Sequence, residues 1–307
     1  MNSNTSFVRQ TILPLIAAFI WGSAFAAQYL GADRMPPFAF NTFRNLFAVP
    51  FLVILVFVFD FIRKKNPNFE PDYKHSDREM VKGGILCGIT LAVAMNFQQL
   101  GIGSGAGKAG FLTALYIVII PIIGMVIGKR QPARIWLCIF IAVIGLYLLC
   151  IKDGFTIEKT DIYLILCAVT YAVQMTFVDK YSLRVDAVRL SCFEFAVATV
   201  VCAGFMLAFR QIPEPGMVGD TIGPLLYTAI LSSGVAYTLQ IFSQKGTNIS
   251  IVSLILCMES VFAALTGALF LHEAMTVREY IGSLIMLAAI VISQLPSKNK
   301  KEEVKEQ

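Results

Sequence analysis

The chain has 307 residues, of which 57% are hydrophobic and only 15% are charged, and its formal net charge is +5. So few charged residues exclude an ordinary soluble protein of this length, which needs a polar surface. The seven cysteines form no CxxC pair and there are two histidines. A disulfide framework, a metal site and a cofactor are therefore not expected.

The apolar residues fall into ten blocks, and about 20 such residues cross the hydrocarbon core of a bilayer as a helix. In lipid, every backbone polar group must be satisfied within the protein, so these blocks are predicted to be helices. The sequence therefore predicts an all-α membrane protein with ten transmembrane helices. The blocks are 12–30, 38–62, 83–101, 106–127, 135–151, 162–178, 187–209, 222–242, 249–271 and 277–294.

Lysine and arginine are distributed unevenly between the two predicted sides of the membrane. With the N-terminus in the cytoplasm, 18 of the 25 lie on that side, six lie on the other, and Arg44 lies within a span. The positive-inside rule therefore predicts that both termini and the loop 63–82 are cytoplasmic. This bias accounts for the net charge without a nucleic-acid partner. The end 295–307 has mixed charge and is predicted to be a disordered cytoplasmic tail.

A glycine-rich stretch, GIGSGAGKAG at 101–110, is similar to a phosphate-binding loop but does not match one. The Walker A pattern needs glycine where Ile102 stands and a hydroxyl residue where Ala109 stands. We expect these glycines to form a tight turn between two spans. GILCG (84–88) and GMVIG (124–128) are predicted to be faces at which helices pack closely.

Two internal overlays indicate that the chain contains a repeat. Shifted by 150 residues, FIWGSAF (19–25) aligns with VTYAVQM (169–175); shifted by 144, the segment 96–118 aligns with 240–262. Because five helices are an odd number, the second copy would enter the membrane inverted. The sequence thus predicts two inverted five-helix repeats, 12–151 and 162–294, with a binding site near the midplane at their interface.

Three stretches resemble the EamA family of the drug/metabolite transporter superfamily. They are FIWGSAFAAQYLG in the first predicted helix, GKAGFLTALYIVIIPIIGMVIGKR around the fourth, and YTLQIFSQKGTNISIVSLILCMESVFAALTGALFLHE around the eighth and ninth. The resemblance covers both repeats. It implies ten helices, alternating access, and export or uptake of amino acids, other metabolites or drugs across a bacterial inner membrane.

The chain departs from the family's usual Leu-Gly-Glu at the ends of the fourth and ninth predicted helices. It has Ile127-Gly128-Lys129 at the first position and Leu271-His272-Glu273 at the second. Both lie at the membrane edge, so the departure bears on helix packing more than on substrate.

Two aromatic residues, Trp21 and Tyr171, are partners in the 150-residue overlay. Each lies nine residues, about 14 Å, into its block, which is close to the midplane. Because aromatic belts lie at membrane interfaces, a pair at the midplane is interpreted as two walls of a cavity. Ordinary helix packing is the alternative interpretation.

A polar stripe runs along the eighth predicted helix at i, i+4, i+7 and i+11, and it must face protein or water. Asn96 and Gln99 form a comparable face on the third helix, and Asn96 aligns with Gln240 in the 144-residue overlay. Hydrogen bonding between helices explains any single member as well as substrate contact does. The stripe consists of Ser233, Tyr237, Gln240 and Gln244.

Glu259 lies ten residues, about 15 Å, into the ninth block, which is the midplane. A charge there costs at least ~3 kcal/mol on insertion scales, so we expect the side chain to face the bundle interior, protonated or paired. The functional interpretation is a site for a substrate amine or a proton. The alternative is a structural hydrogen bond from a neutral carboxyl.

Two further charged residues within spans, Arg44 and Glu194, are counterparts in the overlay. Inverted symmetry would place them at opposite depths, so we expect each to stabilise its own half. Arg44 would neutralise a substrate carboxylate only if its helix lines the cavity. At the start of the tenth predicted helix, Thr276 and Glu279 form a capping-box pattern, which accounts for Glu279.

These observations predict a secondary transporter that exports a small metabolite, an amino acid or a related or drug-like compound, across the cytoplasmic membrane by alternating access. A channel or a structural membrane protein is the alternative, and an enzyme is disfavoured because no HExxH, paired-aspartate or Ser–His pattern is present. The expected partners are the substrate, the bilayer and protons, with the protein a monomer or weak dimer. The predicted substrate-binding residues are Trp21, Asn96, Gln99, Tyr116, Tyr171, Gln174, Tyr237, Gln240 and Glu259.

Overall fold

The computed structural model describes residues 7–65, 76–104, 106–151, 158–270 and 275–295. Ten helices in these ranges are long and apolar enough to cross a membrane, which confirms the predicted all-α membrane fold. The predicted tail lies outside the described residues from 296 onward. The helices are α1 (Val8–Ala32), α2 (Pro37–Lys65), α3 (Asp77–Gly101), α4 (Ala106–Ala114 and Tyr116–Val126), α5 (Ala133–Cys150), α6 (Lys159–Ser182), α7 (Ala187–Ala208), α8 (Ile222–Gln244), α9 (Ile249–Leu256 and Glu259–Phe270) and α10 (Val277–Gln294).

Side-chain caps set the starts of several helices. The Ser76 hydroxyl accepts a hydrogen bond from the Glu79 amide, so α3 starts six residues before its apolar block and its polar first turn is helical. At α10 the Thr276 and Glu279 side chains each accept from the other's backbone amide, as the capping-box pattern predicted. Such caps satisfy amides that have no partner inside the helix.

Glycines allow close packing at one of the two predicted faces. A Cβ on Gly88 of α3 would lie 2.6 Å from the Glu194 carbonyl oxygen of α7, so GILCG packs as expected. The prediction for GMVIG is wrong. A Cβ on Gly128 would meet nothing within 4 Å, and the residue has a φ of +85° at the end of α4. Gly128 terminates the helix, because the left-handed conformation suits glycine, and a Cβ on Gly124 would meet only the Lys129 carbonyl oxygen just after the same helix, at 3.1 Å.

Two pairs of corresponding helices in the predicted repeats, α2 with α7 and α5 with α10, run antiparallel. Phe38 at the start of α2 stacks on Phe205 near the end of α7 at 5.7 Å between ring centroids. Arg63 at the end of α2 forms an ion pair with Asp186, which caps the start of α7. Arg134 at the start of α5 donates to a carbonyl near the end of α10. Inverted repeats require such opposite directions.

The contacts between helices also recur in the second half: where two helices pack on each other, their counterparts five helices along the chain pack on each other too. Helix α3 packs on α6 and α7, and α8 packs on α1 and α2. Helix α4 packs on α6 as α9 packs on α1, while α2 and α7 pack on each other, as do α5 and α10. A two-fold relation between the halves would give this pattern, and the inverted superposition itself stays a prediction.

Candidate substrate-binding cavity

Helices α4 and α9 are each interrupted near their middle. In α4 the second half begins at Tyr116, after a tight turn in which the Val118 amide donates to the Leu115 carbonyl at 3.0 Å. In α9 it begins at Glu259, after a turn in which the Met258 amide donates to Ile255. The 144-residue overlay aligns Leu115 with Glu259, so the two breaks stand at corresponding positions. Broken helices of this kind form substrate sites in transporters.

Helix α8 contains a nine-residue π-helical segment, Thr228–Ala236. Its consecutive residues Ser232 and Ser233 both accept hydrogen bonds from Arg44 of α2, at 2.8 Å from Nη2 and 2.8 Å from Nε. The predicted stripe assumed regular α-helical spacing, and the π segment brings Ser232 into the polar interior beside Ser233. Segments with this wider turn are frequent at functional sites.

A buried cavity of about 40 Å³ lies where α1, α2, α3, α4, α6, α8 and α9 meet. This volume holds only a few water molecules, so the cavity is too small for a metabolite in this conformation. The aromatic lining is formed by Trp21, Phe25, Tyr116, Tyr171 and Tyr237. The polar and charged lining is formed by Gln28, Arg44, Gln98, Thr113, Ser232, Gln240 and Glu259.

The aromatic walls are linked to one another and to α8. Trp21 and Tyr237 pack edge to face at 4.8 Å between centroids, and the Trp21 Nε1 donates to the Ser232 carbonyl at 3.2 Å. The Tyr237 hydroxyl donates to that of Tyr171 at 3.1 Å, and the Tyr171 hydroxyl donates to Gln98 at 3.4 Å. The predicted pair of midplane aromatics thus lines one cavity; its role in binding stays a prediction.

Glu259 lines the cavity and is 6% exposed. Within the described residues its carboxylate has no hydrogen-bond or ion-pair partner, although Tyr116 and Tyr237 lie within electrostatic range. As the first residue of a half-helix, it stands where the helix dipole favours a carboxylate by about 0.3–1 kcal/mol. A Cβ on Gly22 of α1 would lie 2.6 Å from the Glu259 carbonyl oxygen, so the two helices touch at this residue.

Arg44 also lines the cavity and is 2% exposed. Besides its bonds to two serines, its Nη1 donates to Gln28 Oε1 at 3.4 Å. The expectation that Arg44 serves its own half is wrong, because the serines belong to α8 in the other predicted repeat. Glu194 accepts from Gln174 at 2.7 Å within its own repeat.

Three predicted site residues are not among those that line the cavity. Asn96 accepts from Asn41 of α2 at 3.0 Å, and Gln99 donates to a backbone carbonyl of α1 at 3.4 Å. The Gln174 amide donates a hydrogen bond to the Glu194 carboxyl of α7. These amides connect helices, the alternative given above for polar residues of this kind. The six predicted residues that the structure brings together are Trp21, Tyr116, Tyr171, Tyr237, Gln240 and Glu259.

Sequence reasoning missed several lining residues, and for some of them a signal existed. Trp21, Phe25 and Gln28 stand at i, i+4 and i+7, which places them on one face of α1. Thr113 and Tyr116 are three apart on α4. Gln98 and Ser232 carried no comparable signal, because their orientation depends on how the helices are rotated and on the π segment. Arg44 was recognised as a charge within a span, but whether its helix lines the cavity depends on the same rotation. 

The chain matches the EamA-like transporter family over residues 10–151 and 158–294 and therefore belongs to that family. A similar protein of Archaeoglobus fulgidus, named an uncharacterized transporter, is 29% identical over 91% of this chain and 84% of its own. The uncharacterized transporter YoaV of Bacillus subtilis is 21% identical over 92% of this chain and 95% of its own. A solved crystal structure matches with a TM-score of 0.74 at 14% identity, over 93% and 96% of the two chains, which shows the shared fold. The protein is a multi-pass membrane transporter and not an enzyme, as predicted.

Proposed function

We propose that this transporter exports a small metabolite, an amino acid or a related compound, across the cytoplasmic membrane by alternating access. The central cavity is the proposed binding site, and the breaks in α4 and α9 give each half a point at which the helices can rearrange around it. Discontinuous helices at the interface of two repeats support this mechanism.

The observation that carries the proposal is the carboxylate of Glu259, which faces a polar, aromatic-walled cavity rather than a helix contact. Acidic residues within the membrane mark substrate or proton pathways. We propose that Glu259 binds either the amine of the substrate or a coupling proton. The other ionisable groups that line the cavity are Arg44, Tyr116, Tyr171 and Tyr237.

The test is uptake of a panel of radiolabelled metabolites into proteoliposomes that contain the purified full-length protein, with and without a pH gradient. Glu259→Gln retains the shape of the side chain and removes its charge and its proton. We expect the variant to insert normally but to lose transport by about tenfold or more, since a hydrogen bond to a charged group contributes about 1.5–3 kcal/mol. Its remaining transport should depend little on pH.

A matched control is Glu214→Gln, the same chemical change at an exposed residue in the connection between α7 and α8. It should transport as well as the unmodified protein. Unimpaired transport by a well-expressed Glu259→Gln variant would refute the proposed role of the carboxylate.

A further inference from the structure

The guanidinium of Arg44 has unused donors inside the membrane. Of its five N–H groups, three have acceptors among the described residues, and those acceptors are two serine hydroxyls and one amide oxygen. No carboxylate lies within ion-pair distance in the part of the chain that the structure describes. The positive charge is therefore held only by neutral groups.

Two other arginines of the protein form ion pairs with carboxylates of the same chain. Arg184 lies 2.7 Å from a carboxylate oxygen of Glu79, and Arg189 lies 2.8 Å from one of Asp60, both near helix ends where water is close. A buried charge needs a partner more than an exposed one, because it has lost its hydration. The partner of Arg44 is thus expected to come from outside the chain.

The two serines also determine which edge of the guanidinium is used. Nε and one Nη2 hydrogen are directed at Ser233 and Ser232 and one Nη1 hydrogen at Gln28, so one N–H on each of Nη1 and Nη2 is left for a second acceptor, and these two nitrogens form the end edge of the guanidinium. That edge matches the two oxygens of a carboxylate, which arginine binds in bidentate fashion. The π segment of α8 orients the fork in advance.

The same cavity contains acceptors that also lack partners. Glu259 has none among the described residues, and the Gln240 Oε1 is buried without one. The buried hydroxyl of Tyr116 likewise has no partner within the described ranges. The cavity therefore presents a guanidinium and a carboxyl group to the same small volume, with aromatic walls from α1, α4, α6 and α8.

We propose that Arg44 binds the carboxylate of the substrate while Glu259 binds its ammonium group, so that the substrate is a zwitterion of the α-amino-acid type. This inference rests on the proposed function and narrows it. A simple organic cation would leave Arg44 without a partner, and a monocarboxylic acid would leave Glu259 without one. Without its carboxylate the compound leaves the Arg44 charge unpaired, and without its ammonium group it leaves the Glu259 carboxyl without a donor, so we expect both compounds to be poor substrates.

The experiment uses proteoliposomes of the full-length protein and the twenty common L-amino acids, each radiolabelled. The amino acid that is taken up fastest is then compared with its own amide, which lacks the carboxylate, and with its deaminated acid, which lacks the ammonium group. We expect both analogues to compete for uptake about tenfold or more weakly than the amino acid, because each loses one charged hydrogen-bonded contact.

Two variants should distinguish the contact with the carboxylate of the substrate from the contact with its ammonium group. Arg44→Gln should weaken the binding of the amino acid by about tenfold or more. It should leave the competition by the amide unchanged, since the amide has no carboxylate for the guanidinium to bind. Glu259→Gln should also weaken the binding of the amino acid, but it should leave the competition by the deaminated acid unchanged, since that acid has no ammonium group. Arg34→Gln, at an exposed residue that donates to the Asp220 carbonyl, is the matched control and should behave like the unmodified protein.

The outcomes distinguish this inference from the function on which it rests. Uptake of organic cations but of no amino acid, in a manner that depends on Glu259, would overturn the role of Arg44 and leave the transporter proposal standing. An amide that competes as well as its amino acid would also overturn it, and that comparison needs no variant to fold. Failure to transport any member of a broad metabolite panel would contradict the proposed function itself.

Discussion

Glu194 shows how a second buried carboxyl is connected to the cavity. Its side chain is 0% exposed, and Oε1 accepts a hydrogen bond from Gln174, whose own oxygen accepts from Gln240 at 3.4 Å. Gln240 lines the cavity. The sequence predicted Gln174 as a binding residue, but its position indicates that it links Glu194 to the site.

Because of this link, we predict that removing the Gln174 amide lowers the stability of the folded protein. Gln174→Leu would leave the Glu194 carboxyl buried without its donor, which should destabilise the protein by about 1–3 kcal/mol. Thermal unfolding in detergent measures the effect. In a Glu194→Leu background the same substitution should cost less, because the carboxyl that needed the donor is gone and only the Gln240 amide then loses a partner. Equal costs in both backgrounds would contradict the link.

At the scale of the helix, the contact between α1 and α9 determines where Glu259 stands. A Cβ on Gly22 would lie within 2.6 Å of the Glu259 carbonyl oxygen and of the Phe262 Cβ, and 2.8 Å from the Ala263 amide nitrogen. Two of these atoms are backbone and cannot turn away. Only a hydrogen atom fits at this position.

We therefore predict that Gly22→Ala separates the two helices. The clash should cost about 1–3 kcal/mol of stability, in the range of other overpacked sites, and should lower transport because it displaces the start of the second half of α9. Thermal unfolding and uptake assays measure the two effects. Gly204→Ala in α7 is the matched control, since its Cβ would meet nothing within 4 Å. If both variants behave alike, the close contact does not matter.

Over the whole molecule, the charge distribution predicts the orientation in the membrane. The loop 63–82 should be cytoplasmic, and the connection between α7 and α8 should lie on the opposite side. Asn68 lies outside the described residues, and a cysteine placed there should react with an impermeant thiol reagent only in inverted vesicles. A cysteine at the exposed Glu214 should react only in intact cells.

The native cysteines give little background in this assay. Six of the seven are buried and Cys192 is partly buried. The unmodified protein is the control that measures any labelling of these native cysteines. Reaction of the Asn68 cysteine in intact cells would contradict the positive-inside assignment. The proposed inversion of the repeats adds that α1–α5 superpose on α6–α10 about an axis in the membrane plane; an axis along the membrane normal would refute it.

Hydropathy was sufficient to predict the ten helices, because a span in lipid must be a continuous apolar segment whose backbone bonds are internal. The tenth block, 277–294, coincides with Val277–Gln294, where the capping box marks the start. The third began earlier than its block because a capped polar turn is helical but not apolar. The rise per residue also predicts that Trp21 and Glu259 lie near the midplane, without any knowledge of packing.

What only the tertiary structure decided is which polar faces meet. Regular spacing put Asn96 and Gln99 on one face of α3, yet that face contacts α1 and α2, while Gln98 lines the cavity. The orientation of Arg44 required the π segment of α8 and its two serines, and the position of Glu259 at the start of a half-helix required the break in α9. Periodicity defines faces of a single helix; the rotation of each helix against its neighbours, and the local departures from α-helical geometry, depend on the packing of all ten together.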